Sequence, residues 1–131
     1  MEEIEISSDK RNQAIDITSK IQQIVHDSEI EKGICLIYCP HTTGAITINE
    51  GADPAVQEDI LNALEEIVPD ISFQHREGNS DAHLKSSIVG PSEKVPIRNK
   101  SMKRGRWQKV FFCEFDGPRS RKVWVETINA E

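Results

Sequence analysis

A chain of 131 residues and 14.8 kDa has room for one domain around one core. Charged residues make up 29% and hydrophobic residues 37%, which excludes a disordered or fibrous chain, and apolar runs of only a few residues exclude a transmembrane helix. The net charge of −6 hides a split, with five Lys/Arg against 17 Asp/Glu in residues 1–84 and 11 against five in residues 85–131, a pattern that suits an anion-binding half or the complementary faces of an oligomer.

The acidic start Met1-Glu2-Glu3-Ile4-Glu5 is unlike a secretory signal, so a cytoplasmic protein is expected. Residues 2–8 alternate polar and apolar through Ile4 and Ile6, and 13–17 alternate again through Ala14 and the isoleucines that follow; both predict short strands. Ile17, Ile21, Ile24 and Val25 fall at helical spacing, with Asp16 or Thr18 as an available N-cap and Gly33 as a break beyond. Residues 34–39 carry little polar content and predict a strand buried on both faces, and 45–49 predict another. Asp53-Pro54 opens the clearest helix, with Val56, Ile60, Leu61, Leu64, Ile67 and Val68 on one apolar face and Pro69 ending it. Residues 70–75, 95–97, 107–115 and 121–128 predict strands, the last two joined by Asp116-Gly117-Pro118-Arg119. Seven or more strands against two main helices make a single α+β, β-rich domain over residues 1–131, with a β-sandwich-like core and helices on one side. The three cysteines, Cys35, Cys39 and Cys113, lie in apolar stretches and read as small buried hydrophobes.

Four histidines are distributed unevenly. His26 lies in the first helical stretch among polar neighbours and reads as an exposed residue. His41 follows Pro40 directly after a strand, and His75 and His83 bracket a stretch that reads as a loop folding back on itself. Imidazoles with an open position suit zinc or another borderline divalent metal; the alternative is that they cap strands and hydrogen-bond backbone. Glu50 and Asp53 flank Gly51-Ala52, and Glu77 and Asp81 flank Gly78-Asn79-Ser80. Carboxylates so placed can orient a metal-bound histidine or act as general base, or simply serve turns and caps. Lys85-Ser86-Ser87 supplies a cation and hydroxyls for phosphate, and Arg119 stands on a rigid turn where a bidentate grip is natural, unless it pairs with Asp116 across that turn. Trp107 lies within a basic run of Arg98, Lys100, Lys103, Arg104, Arg106 and Lys109. Such a run can hold single-stranded nucleic acid, but with one aromatic in an acidic chain a solvated hairpin is the better reading.

These motifs resemble a known family. His41-Thr42-Thr43-Gly44-Ala45-Ile46-Thr47-Ile48-Asn49-Glu50 followed by Asp53-Pro54 is similar to the first signature of the YjbQ-like proteins, also called the secondary thiamine-phosphate synthase enzyme family. His75 through Asn79 with Ala82-His83-Leu84-Lys85, Gly90, Ser92 and Pro96-Ile97 resembles its second block. Trp107-Gln108, Glu114, Asp116-Gly117-Pro118-Arg119 and Arg121 resemble its third. The resemblance covers nearly the whole chain and implies a β-sandwich-like subunit that forms a homotrimer, with a divalent metal, zinc, on His41, His75 and His83. It also implies a weak thiamine-phosphate synthase activity, a transferase reaction joining a pyrimidine methyl diphosphate to a thiazole phosphate with release of diphosphate. The chain departs from the pattern at 99–106, where Lys100 replaces a common glycine and Arg106 a common threonine.

The expected function is therefore that of a metal-assisted enzyme on small phosphorylated molecules. Glu50, Asp53 and Asp81 are the catalytic carboxylates expected, and Lys85, Ser87, Gln108 and Arg119 the substrate or phosphate contacts. A binding module without turnover shares the same site. Membrane association is not expected, and nucleic acid is the weakest of the partner readings.

Overall fold

In the computed structural model, which describes residues 1–68 and 78–131, the N-terminal alternation becomes β1 (Glu2–Ser7), with Ile4 and Ile6 turned inward and its glutamates outward. β1 opens a five-stranded sheet and is followed in it by β8 (Ser120–Asn129), β3 (Lys32–Tyr38), β5 (Ser92–Arg98) and the short β6 (Ser101–Met102). A second sheet holds β2 (Gln13–Asp16), β7 (Gln108–Glu114) and β4 (Gly44–Glu50) in that order. Every pairing among these strands is antiparallel, so each strand can turn one face to the core and the other away.

Cys35, Ile37, Val95, Ile97, Val123 and Val125 of the first sheet meet Ile46, Val110 and Phe112 of the second to fill the sandwich. Helix α1 (Thr18–Asp27) buries Ile21 and Val25 in this core beside Ile17 and touches β6, β7 and β8, so it closes the sandwich between the sheets instead of lying on one side. Asp16 begins it by accepting the Thr18 N–H at 2.9 Å. Helices α2 (Pro54–Ile67) and α3 (Ser80–Val89) lie on the second sheet's outer face, where Leu64 and Ala82 pack with Ala45, Cys113 and Phe115. Asp53 caps α2 as expected, accepting the Ala55 N–H at 2.9 Å with Pro54 at the first helical position. The product is an α+β, β-rich domain of two curled sheets with a helical layer on one of them.

Two expectations change. The described residues contain three helices, not two, because part of the stretch read as a loop is the start of α3. Its buried residues are Ala82, Lys85 and Ser86, while Leu84 is 38% and Ile88 52% exposed; with its polar side chains inward and its larger apolar ones outward, it carries no helical hydrophobic stripe to detect. Second, β3 is buried on one face, not both: Ile34 is 41% and Tyr38 40% exposed. Tyr38 stacks on Trp124 with ring centroids 5.9 Å apart, and Ile128 is 48% exposed on the same sheet. The strand expected at 70–75 lies outside the described residues.

Near its start β3 requires glycine. A Cβ at Gly33 would stand 2.1 Å from the Ile128 carbonyl oxygen and 2.9 Å from Ile30 Cγ2, and the backbone oxygen cannot yield without disturbing the ladder between β3 and β8. Gly33→Ala is expected to lower stability by about 1–3 kcal/mol, read from urea unfolding; an unchanged midpoint would contradict this packing.

Candidate functional site

The turn joining β7 to β8 is built around a buried ion pair. Glu114 ends β7 fully buried, and Arg121, 4% exposed, stands near the start of β8. Arg121 Nε donates to Glu114 Oε1 at 2.8 Å, and its Nη2 donates to Glu114 Oε2 and, at 2.8 Å, to Thr43 Oγ1. Ser8 Oγ donates to Glu114 Oε1 at 2.7 Å and the Asp116 N–H to Oε2 at 3.0 Å. Burial on its own would raise the Glu114 carboxyl, but the hydrogen bonds from Arg121, Ser8 and Asp116, together with the Arg121 charge, hold it below the usual carboxylate range. Ser8 Oγ also accepts the Arg119 N–H at 2.9 Å. Gly117 passes so close that a Cβ there would meet the Lys10 carbonyl oxygen at 2.2 Å.

His41 lies two residues from Thr43. Its Nε2 accepts the Lys122 N–H at 2.9 Å and its ring meets Phe112 edge-on. Burial first, then the Arg121 charge, pushes its pKa below the ordinary imidazole value, so the ring is neutral near pH 7. Beside it opens a cavity of about 290 Å³ lined by Ser7, Ser120, Arg121 and Lys122 among others. As placed, His41 does not offer a metal a free nitrogen. A metal on Nε2 would displace the Lys122 N–H, and a metal on Nδ1 would move the ring proton to Nε2, where two donors would face each other. His83 is half-buried on α3, and His75 lies outside the described residues. No cluster of three metal-binding side chains occurs among the described residues.

The remaining expected residues are divided among three places. Arg119 pairs with Asp116 across its own turn, with Nη2 to Oδ2 at 3.0 Å and Nε to the Asp116 carbonyl at 2.8 Å; Asn79 Nδ2 also donates to Asp116 Oδ2, at 2.9 Å. On α3, Asp81 accepts from Arg11 at 2.8 Å and faces Lys85 Nζ at 3.5 Å. Lys85 is 1% exposed, and its Nζ is held by Glu65, Asp81 and Asn12 Oδ1, so its charge ties α3 to α2 and to the β1–β2 connection. Ser87 is exposed and donates to the His83 carbonyl one turn back.

Glu50, Asp53 and Gln108 lie at the other end of the second sheet. The β4–β7 register pairs Gly44 with Glu114 and Glu50 with Gln108; six steps of strand separate the two ends by about 20 Å. There Glu50 Oε2 accepts the Asp53 N–H at 3.3 Å, the Trp107 carbonyl accepts the Gly51 N–H at 2.9 Å, and Gln108 Oε1 closes its own turn by accepting the Gly105 N–H at 2.7 Å. Among the described residues of one copy, the expected side chains do not converge on one point.

The family model described as UPF0047 protein YjbQ-like matches residues 2–130. The chain belongs to the YjbQ-like UPF0047 family. A UPF0047 protein of Methanocaldococcus jannaschii is 48% identical over 125 residues, covering 95% of this chain and 91% of its own length. YugU of Bacillus subtilis, also a UPF0047 protein, is 44% identical over 127 residues, covering 95% and 96%. A YjbQ/UPF0047 family structure from Clostridium acetobutylicum, described as an uncharacterised conserved protein, is similar with a TM-score of 0.95 at 44% identity, covering 98% of this chain and 100% of its own. A structure from Sulfolobus solfataricus, described as a YbjQ-like protein of unknown function, has a TM-score of 0.94 at 37% identity, covering 98% and 95%.

Sequence reasoning left Glu114, Arg121 and Gln57 out of the expected site. The first two had a signal, opposite charges on either side of a tight turn between two apolar strands. Gln57 had one too, being four residues before Leu61 on a face that should be apolar. Removing the Glu114 charge leaves Arg121 buried and unpaired. Glu114→Gln is expected to cost about 3 kcal/mol or more at pH 7. Because the folded carboxyl titrates below its unfolded value of about 4.3, wild type loses this stabilisation as the pH falls through the folded pKa, and the deficit of the variant shrinks there. Urea unfolding at pH 7 and pH 3 checks both; a deficit that does not change with pH would contradict the assignment.

Proposed function

We propose that this protein binds small phosphorylated molecules in the cavity beside His41 and catalyses a weak transferase reaction of the thiamine-phosphate synthase type. The observation that carries the reading is the lining of that cavity, where a neutral imidazole stands with Ser7, Ser120 and Lys122; Glu5 lines it too, Arg121 borders it with its charge already paired to Glu114, and Lys122 lies 3.7 Å from Glu3. Hydroxyl donors, an imidazole N–H and an exposed ammonium suit phosphate oxygens, and the same groups stabilise charge on a departing diphosphate. In that reaction the thiazole nitrogen forms a bond to the pyrimidine methyl carbon as the bond from that carbon to the diphosphate oxygen breaks. Neutral His41 can donate a hydrogen bond from Nδ1 while Nε2 keeps the Lys122 amide. Asp81, tied to Arg11 and Lys85, acts in this reading as a positioning group. Glu50 and Asp53, about 20 Å away along β4, contribute only across a boundary between copies.

Zinc on His41, His75 and His83 belongs to this proposal only if His41 releases the Lys122 N–H on loading, and no step above depends on it. Product is expected from a pyrimidine methyl diphosphate and a thiazole phosphate, falling by about 100-fold or more in folded His41→Ala. Equal rates in the variant would overturn the role of His41. Phosphate-ligand binding by wild type without product would instead make this a binding module. Elemental analysis of zinc-incubated wild type beside His75→Ala decides the metal, which is expected near one per chain and lost in the variant.

The homotrimer is part of the same proposal. Ile34, Tyr38 and Ile128 leave an apolar patch open on the first sheet, a surface that favours burial against another copy, and the acidic and basic halves of the chain suit a head-to-tail ring. Sedimentation equilibrium is expected to give about three times the 14.8 kDa chain mass, with Ile34→Glu plus Tyr38→Glu shifting the protein to monomer. A wild-type monomer would end the idea.

A further inference from the structure

Between β2 and α2 lies a second cavity, of about 370 Å³, within the size range of small-molecule sites. It shares no lining residue with the cavity beside His41. Ala14, Pro54, Leu61 and Phe111 provide apolar walls, and the polar lining includes Asp53, Gln57 and Glu58.

Gln57 is the informative residue. It is 7% exposed, and its Nε2 donates to the Glu50 carbonyl at 3.3 Å. A carbonyl can only accept, so the amide orientation is set by that bond and the other atom is the oxygen. No donor among the described residues reaches Gln57 Oε1, which leaves a buried residue with an unused acceptor at the cavity wall. Asp53 accepts the Ala55 N–H through Oδ1, while its Oδ2 takes no donor among the described residues. That carboxylate already occupies the start of α2, so the helix end does not select an anion. Asp16 is balanced by Lys109 at 3.6 Å. Glu58 has no cationic partner among the described residues, and Lys10 is the one further cation in the lining. Acceptors and an excess of negative charge therefore face an apolar floor.

We propose that this cleft binds a small organic cation, a molecule carrying an ammonium or amino group on an apolar body. The amino group donates to Gln57 Oε1 and the Asp53 carboxylate, Glu58 adds attraction from the rim, and the body lies against Leu61 and Phe111.

Titration of the ¹⁵N-labelled protein at pH 7 with benzylamine, benzyl alcohol and benzoate tests this. Benzylamine is expected to shift the amide signals of Ala14, Gly51, Gln57 and Leu61 saturably, at least tenfold more tightly than either control. Gln57→Leu and Glu58→Lys are each expected to weaken that binding at least tenfold. Glu58 is exposed, so Glu58→Lys decides the matter if Gln57→Leu fails to fold. No saturable shift, equal response to benzyl alcohol, or unchanged affinity in Glu58→Lys would overturn the proposal. The cavity beside His41 is untouched by these variants, so pyrophosphate titrated there is expected to bind each folded variant as it binds wild type. Loss of pyrophosphate binding in Glu58→Lys would overturn the separateness of the two sites.

Discussion

Arg121 is the point on which the closed end of the sandwich depends. Its guanidinium reaches Glu114 at the end of β7 and Thr43 just before β4, while Ser8, at the exit from β1, completes the Glu114 carboxylate. Three stretches far apart in sequence, around Ser8, Thr43 and the turn from Glu114 to Arg121, are thereby held together by one buried ion pair. Both charges are out of water, so neither can lose the other cheaply. The chain folds around this pair with only small movements allowed: Gly117 has no room for a side chain, and Ser8 both donates to Glu114 and accepts the Arg119 amide.

The chemistry at that end follows from the same pair. Burial, and after it the Arg121 charge, holds down the proton affinity of His41, so a neutral imidazole stands beside a polar cavity with Ser7, Ser120 and Lys122. The Lys122 amide then assigns the ring's two nitrogens, since an acceptor Nε2 puts the proton of the neutral ring on Nδ1. With Nε2 accepting the Lys122 amide, the His41 ring can at the same time donate from Nδ1 into the cavity. The opposite end of the second sheet is different in kind. Its carboxylates cap α2 and the turn before it, and its open cleft is acidic, with Gln57 of α2 in the lining.

How far the sequence could be read depended on whether the local pattern agreed with the tertiary one. Ile4 and Ile6 alternate and are buried in β1; Asp53-Pro54 announces the start of α2 and performs that role. In α3 the pattern is inverted. Lys85 is buried because Glu65, Asp81 and Asn12 converge on its ammonium, and Leu84 and Ile88 face outward, so neither composition nor period marked a helix there. Arg119 was legible only as two alternatives, and the fold shows its pair with Asp116 across the turn.

The sequence by itself determined most of the described strands, the capped helix α2, the family and the residue types available for chemistry, because these depend on periodicity, turn formers and ordered motifs within short windows. Tertiary structure alone decided which of those residues meet. His41 and Glu50 are nine residues apart and share a motif, yet an extended strand carries them to opposite ends of a sheet. Glu114 and Ser8 are 106 residues apart and share a hydrogen bond at 2.7 Å. Separation along an extended strand grows with every residue, whereas a sandwich brings distant segments together wherever a buried charge must be satisfied.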